Sequence, residues 1–353
     1  MKIIKEVSEG YPIVRITDSQ YSYTYGYYSN NSWIDQNRIV LKKIPNDIKL
    51  PSKLVVADLE RETEEELLSG KEADFYFTDY VVYGEKIYCP ESDKLICLNV
   101  NTKEKHEICS IPKGFTFPHI TNDGKYINFA VYTKENNIIT LSECYIVDTK
   151  SGSCEKVFEK KFSKPFTDAS HIMICPTDKD KIFFSHEGDT FYISNRLWMY
   201  EKGKGMKCIA KQHLDEEQNL ADCFGHECWT YDGKGLYFVK YSCSPKGPKG
   251  ICYVNADGTG QKNAIYGKYP YWHVCTSSGG RFLAADTQSG ERSWVCLIDT
   301  ETGNEIVLAK AGFAAQHPAH PHPCFNTDST RICYHDLTGD KLTVCIAQIS
   351  DII

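Results

Sequence analysis

Along most of this chain apolar and polar residues alternate in short runs broken by Asp-Gly, Asn and Ser-Gly turns, the two-residue period of strands. Five stretches share one layout. Each opens on a histidine, crosses a short strand-like run, turns, and continues as a stronger apolar strand. His119 leads to 125–131, His171 to 181–185, His226 to 235–240, His273 to 281–286 and His322 to 331–335. The leading histidines lie 52, 55, 47 and 49 residues apart. A strand–turn–strand repeat near this length is the signature of a β-propeller. Equivalent positions in successive blades face one axis, so the five histidines are expected to converge there.

Two further units precede the histidine-led five, giving an all-β, seven-bladed propeller in a single domain over 1–353. Its blades are expected at 21–60, 74–104, 115–158, 167–211, 222–266, 271–309 and 320–353. The last unit offers only three strands. The apolar run 12–16 near the N-terminus is expected to supply the fourth, closing the ring and covering an open edge. One segment reads as helix: 59–68, rich in Glu and Leu, expected as a surface insertion.

Bulk properties narrow the chemistry. The chain has 353 residues, 41% hydrophobic, with a net charge of −7 and no basic tract, which argues against a nucleic-acid partner. No apolar stretch is long enough to span a bilayer, so no membrane partner is expected. The N-terminal residues lack the apolar run of a signal peptide. Many of the 16 cysteines fall at apolar strand positions, and no Cys-x-x-Cys pair occurs. Buried reduced thiols and a cytoplasmic address are the consistent reading.

The densest chemistry is Gln316-His-Pro-Ala-His-Pro-His322-Pro, three histidines within six residues. In an extended segment His320 and His322 share one face, and the interleaved prolines hold it extended. Two imidazoles on one face make half a metal site, and His273 is the natural third ligand, with Gln316 or His317 as the fourth. His226 leads the preceding unit and suits a base. His171 and, farther off, His119 are expected to contact substrate. Arg196 follows the strand that ends in His186-Glu187-Gly188, and a guanidinium there suits a carboxylate ligand.

These segments resemble the oligogalacturonate lyase family, polysaccharide lyase family 22. The resemblance is carried by His171-Ile-Met-Ile-Cys-Pro-Thr-Asp through His186-Glu-Gly188, by Arg196-Leu-Trp198, by Gly225-His-Glu-Cys-Trp229, by His273 and by His320-Pro-His322-Pro323. It covers roughly residues 20–345. It implies a divalent metal, typically Mn²⁺, held by His273, His320, His322 and a glutamine. The family spacing is Gln-x-x-His-x-His. Here Gln316 lies one residue too early and His317 stands at the glutamine's place, so both remain open as the fourth ligand. The implied reaction is β-elimination on a short uronate oligosaccharide, with His226 as base and Arg196 binding the carboxylate. Asp189 and Thr190 follow His-Glu-Gly where relatives often carry an aromatic, so a related uronate-containing substrate stays open. The competing readings are a noncatalytic TolB-like sugar- or protein-binding propeller, and a metal-dependent hydrolase or epimerase on the same frame.

Overall fold

The computed structural model describes residues 1–288 and 290–352. Among them the strands fall into seven antiparallel sheets, six of four strands and one of five, following each other along the chain. This is the all-β, seven-bladed propeller pattern. The only regular helix among the described residues is the single 3₁₀ turn Gly70–Ala73.

The sequence periodicity explains which strands are inner and which are outer. Phe282–Thr287, the second strand of its sheet, is buried at every position, whereas the outer strand Lys105–Ser110 is mostly exposed. Apolar residues of successive sheets pack as continuous layers. Val40, Leu54, Val56 and Leu68 meet Val82, Ile87 and Leu98. Phe183 and Met199 meet Phe224, Phe238 and Val254.

The chain packs as two compact units. One holds Met1–Glu91, Ile96–Glu107 and the C-terminal part from Cys275; the other holds Ser92–Leu95 and Ile108–Val274. The boundary at Val274 falls inside the strand Tyr271–Thr276. That strand heads a sheet whose other three strands, starting at Phe282, Ser293 and Glu305, all lie in the first unit. His273 therefore belongs by hydrogen bonding to that sheet.

The N-terminal run 12–16 closes the last sheet as expected: Tyr11–Thr17 pairs antiparallel with Lys341–Gln348, setting Ile13 opposite Ala347. A further strand, Lys2–Ser8, adds to its outer side.

The helix expected at 59–68 is absent. Thr63–Ser69 is instead the outer strand of the first sheet, pairing with Lys53–Asp58. Its glutamates are good helix formers, but strand partners outweigh that preference. Glu64 accepts the Tyr23 hydroxyl at 2.5 Å and the Lys43 ammonium at 2.7 Å, Glu66 pairs with Lys53, and Leu68 is buried against the layer above.

The histidine addresses have a distinct backbone. Strand register shifts between Thr116 and His119, between Ser170 and Met173, and between Gly225 and Cys228. At these irregularities φ is +51° at Phe117, +50° at His171 and +51° at His226; His322, beside its own sheet's first strand, has φ +49°. Each register shift is a bulge with one residue in the left-handed region, which His tolerates better than most side chains. The strict two-residue alternation breaks there, so neighbouring side chains can serve one site.

Arg15, on the closing strand, binds Asp336 at 2.6 Å, Thr343 at 2.9 Å and Glu6 at 2.7 Å. Asp336 is 2% exposed and also accepts the Gly312 amide. Asp336→Ala would take the buried carboxylate from the half-buried Arg15 guanidinium, leaving it Glu6, and would remove the acceptor of the Gly312 amide. We expect it to lower unfolding stability by about 3 kcal/mol, read as a reduced denaturant midpoint with unchanged slope.

Candidate functional site

The His320-Pro-His322 segment is held by groups that its own sequence does not announce. The Tyr25 hydroxyl sits 2.6 Å from the His322 carbonyl and 3.0 Å from that of Pro321. The His335 amide donates to Pro321, and its Nδ1 lies 3.0 Å from the His320 carbonyl. The His335 ring stacks on Tyr25, with centroids 4.2 Å apart, and burial pushes its pKa down to about 3, so it works as a neutral hydrogen-bonding bracket. The His322 amide donates to Asp286 at 3.1 Å. These bonds fix the backbone from which both imidazoles project.

His273, His320 and His322 are all buried, and one ring nitrogen from each lies within 4.8 Å of the others. Imidazole nitrogens ligate at about 2.1 Å, which keeps any two ligands of one ion within about 4.2 Å, so small ring movements suffice to close this set on a metal. Burial lowers the pKa of His320, favouring the neutral ring that a metal needs. The donor set and its spacing fit a divalent ion.

The two alternatives for a fourth ligand separate. Both residues are exposed. The His317 ring lies 4.3 Å from that of His320 and stacks 5.0 Å from that of His322. Gln316 is tied to this segment through its carbonyl, which accepts the Ala319 amide.

His226 lies beside the triad's third member, its ring 3.9 Å from that of His273. Its Nδ1 is 2.7 Å from the Trp272 carbonyl, with the Tyr241 hydroxyl at 3.0 Å. A carbonyl only accepts, so Nδ1 carries the proton and Nε2 carries the lone pair. Burial, reinforced by the neighbouring His273, His171 and Arg196, drives the pKa of His226 well below its usual value. The ring is a neutral imidazole in the tautomer a base requires.

Arg196 is 3% exposed, and all three of its side-chain nitrogens bond carboxylates. Its Nε donates to Glu227 at 2.7 Å, while Nη1 and Nη2 grip Glu187 at 3.0 and 2.5 Å. Burial alone would raise the Glu187 carboxyl, but the guanidinium overrides it and holds the group at about 2. His171 completes the cluster, with Nε2 3.5 Å from Glu187 and Nδ1 3.8 Å from Glu227, and with Phe117 stacked 6.2 Å from its ring. His119 is buried, its Nδ1 3.2 Å from the Phe117 carbonyl, and burial lowers its pKa to about 3.

Two signals explain what sequence reading missed. Glu187 and Glu227 each directly follow a histidine, and a His-Glu pair placed at a bulge or strand end is a sign that both side chains serve one site. Tyr25 and His335 carry no such mark, because their role is to hold carbonyls of a distant loop.

No protein-family model matches the chain. In sequence it is 20% identical over 227 residues to the oligogalacturonide lyase of Pectobacterium atrosepticum, covering 58% of this chain and 55% of that protein. It is 23% identical over 203 residues to the oligogalacturonate lyase of Dickeya dadantii, covering 51% and 50%. The matched stretches thus span about half the length of these curated relatives. The fold likeness runs end to end. A manganese-bound oligogalacturonate lyase structure matches with TM-score 0.82 over 99% of this chain and 96% of that one, at 16% identity. The oligogalacturonate lyase of Vibrio parahaemolyticus matches with TM-score 0.81 over 98% and 96%, at 15% identity. In backbone architecture over nearly its whole length, and in sequence over about half of it, this chain is similar to the oligogalacturonate lyases.

Proposed function

We propose that this protein is a metal-dependent lyase that cleaves short oligogalacturonides by β-elimination. The observation that carries the reading is the neighbourhood of two different imidazole states: three buried rings spaced for one ion, and a fourth, His226, fixed through Trp272 with its lone pair on Nε2. A noncatalytic sugar-binding propeller has no use for that combination, and the lyase names of its sequence relatives favour the enzyme.

His273, His320 and His322 would hold the ion, with His317 as the fourth donor that the ring positions favour; Mn²⁺ is the metal of the similar solved lyase. A divalent cation there supplies positive charge toward the substrate's carboxylate, which acidifies the adjacent carbon. His226 Nε2 takes the proton from C5 of the uronate. The C–H electron pair becomes the C4–C5 double bond, and the C4–O bond breaks with its pair on the departing sugar oxygen, which is protonated from water. Arg196, aimed by Glu227, would offer its terminal N–H donors to the carboxylate as enolate charge builds on it. His171 and His119, on the first strands of two successive sheets, are assigned to substrate contact.

Incubation with di- and trigalacturonate plus Mn²⁺ is expected to produce the ultraviolet absorbance of a conjugated unsaturated uronate. Release of saturated sugars alone would identify a hydrolase. His226→Ala should lower turnover by roughly a hundredfold to ten-thousandfold, the usual contribution of a general base, while metal analysis still finds the ion. Replacing His320 and His322 together by alanine should abolish metal binding in equilibrium dialysis; retained binding would place the ion elsewhere.

A further inference from the structure

The Arg196 fork is already filled. Its two terminal nitrogens grip both oxygens of Glu187, the side-by-side pairing that a uronate carboxylate would itself adopt. Glu227 binds the remaining Nε from a fully buried position, its side chain 0% exposed, while that of Glu187 is 25% exposed. Glu227 is thus the inner anchor and Glu187 the outer partner. Two carboxylates on one guanidinium leave a net negative charge where an anionic sugar must approach, an arrangement that opposes binding unless one of them moves. Glu187 has somewhere to go. The Ser185 hydroxyl donates to its Oε1 at 3.1 Å, and His171 Nε2 stands 3.5 Å from the same oxygen, so a Glu187 that leaves the guanidinium keeps polar company.

We propose that Glu187 is an internal stand-in for the substrate's carboxylate, occupying the Arg196 fork until a uronate displaces it, and that it thereby sets selectivity for acidic sugars. The inference rests on the lyase reading above. A neutral sugar or a methyl ester cannot reproduce a two-oxygen anionic grip, so it cannot compete for the fork. Glu227 stays in place throughout and aims the guanidinium.

The test is the KM for trigalacturonate, with Mn²⁺ present, in the wild type and in Glu187→Gln. An amide binds the fork far more weakly than a carboxylate. Removing a competing closed state raises apparent affinity by the inverse of the open fraction, so KM should fall about fivefold. A purely structural glutamate would give the opposite sign, and an unchanged or raised KM overturns the proposal. If the variant does not fold, a crystal structure of the wild-type protein with galacturonate bound decides. Sugar oxygens on Arg196, with Glu187 moved toward Ser185 and His171, support displacement; Glu187 still on the fork overturns it. The two readings fail separately: wild-type protein that forms no unsaturated product defeats the lyase assignment, whereas normal turnover without the KM decrease defeats only the role of Glu187.

Discussion

The backbone at His171, His226 and His322 sits in the left-handed region, and the rest of the site follows from that constraint. Such a conformation costs on the order of 1–3 kcal/mol per residue and survives only where the surroundings hold it. The surroundings here are plain. Trp272 and Tyr241 fix the His226 ring, and Tyr25, His335 and Asp286 fix the chain at His322. A regular strand would send residues 226 and 227 to opposite faces of the sheet. His226 lies against His273 of the following sheet while Glu227 binds Arg196 beside the preceding one, so a neutral base and the anchor of a cation come from adjacent residues.

Burial then sets protonation. Without water, the imidazoles of His226, His320 and His335 stay neutral, each for a different purpose: proton acceptance, ligation and bracing. In the Arg196 cluster the same desolvation would neutralise Glu187, and the guanidinium prevents it. The site thus keeps ionised groups only where a counter-charge touches them and neutral rings elsewhere.

Much of this was legible in the sequence because period and residue type coincide. The histidine spacing near 50 residues marks the sheets, and the prolines around His320 and His322 mark a stiff segment. What stayed hidden has physical causes. The strand Thr63–Ser69 looks helical because its stabilising partners, Tyr23, Lys43 and Lys53, are distant in sequence. The first blade therefore continues past the residue where composition suggested it ends. Arg196 reads as an open cation until the positions of Glu187 and Glu227 are known, and no spacing rule places three charges together in this way. The thiols followed the simple rule: among the described residues no disulfide joins any of the sixteen, and most are buried as small apolar groups.

The seventh sheet draws its strands from stretches far apart in sequence, pairing Ile13 with Ala347. On a ribosome, the segment Tyr11–Thr17 emerges long before Lys341–Gln348 and must wait for the intervening sheets before its partner exists. Joining such remote stretches carries a large loop-closure entropy. Earlier sheets, built from local hairpins, can form as they are synthesised, while this last seam forms late. During that wait an unpaired strand edge stays open to wrong partners.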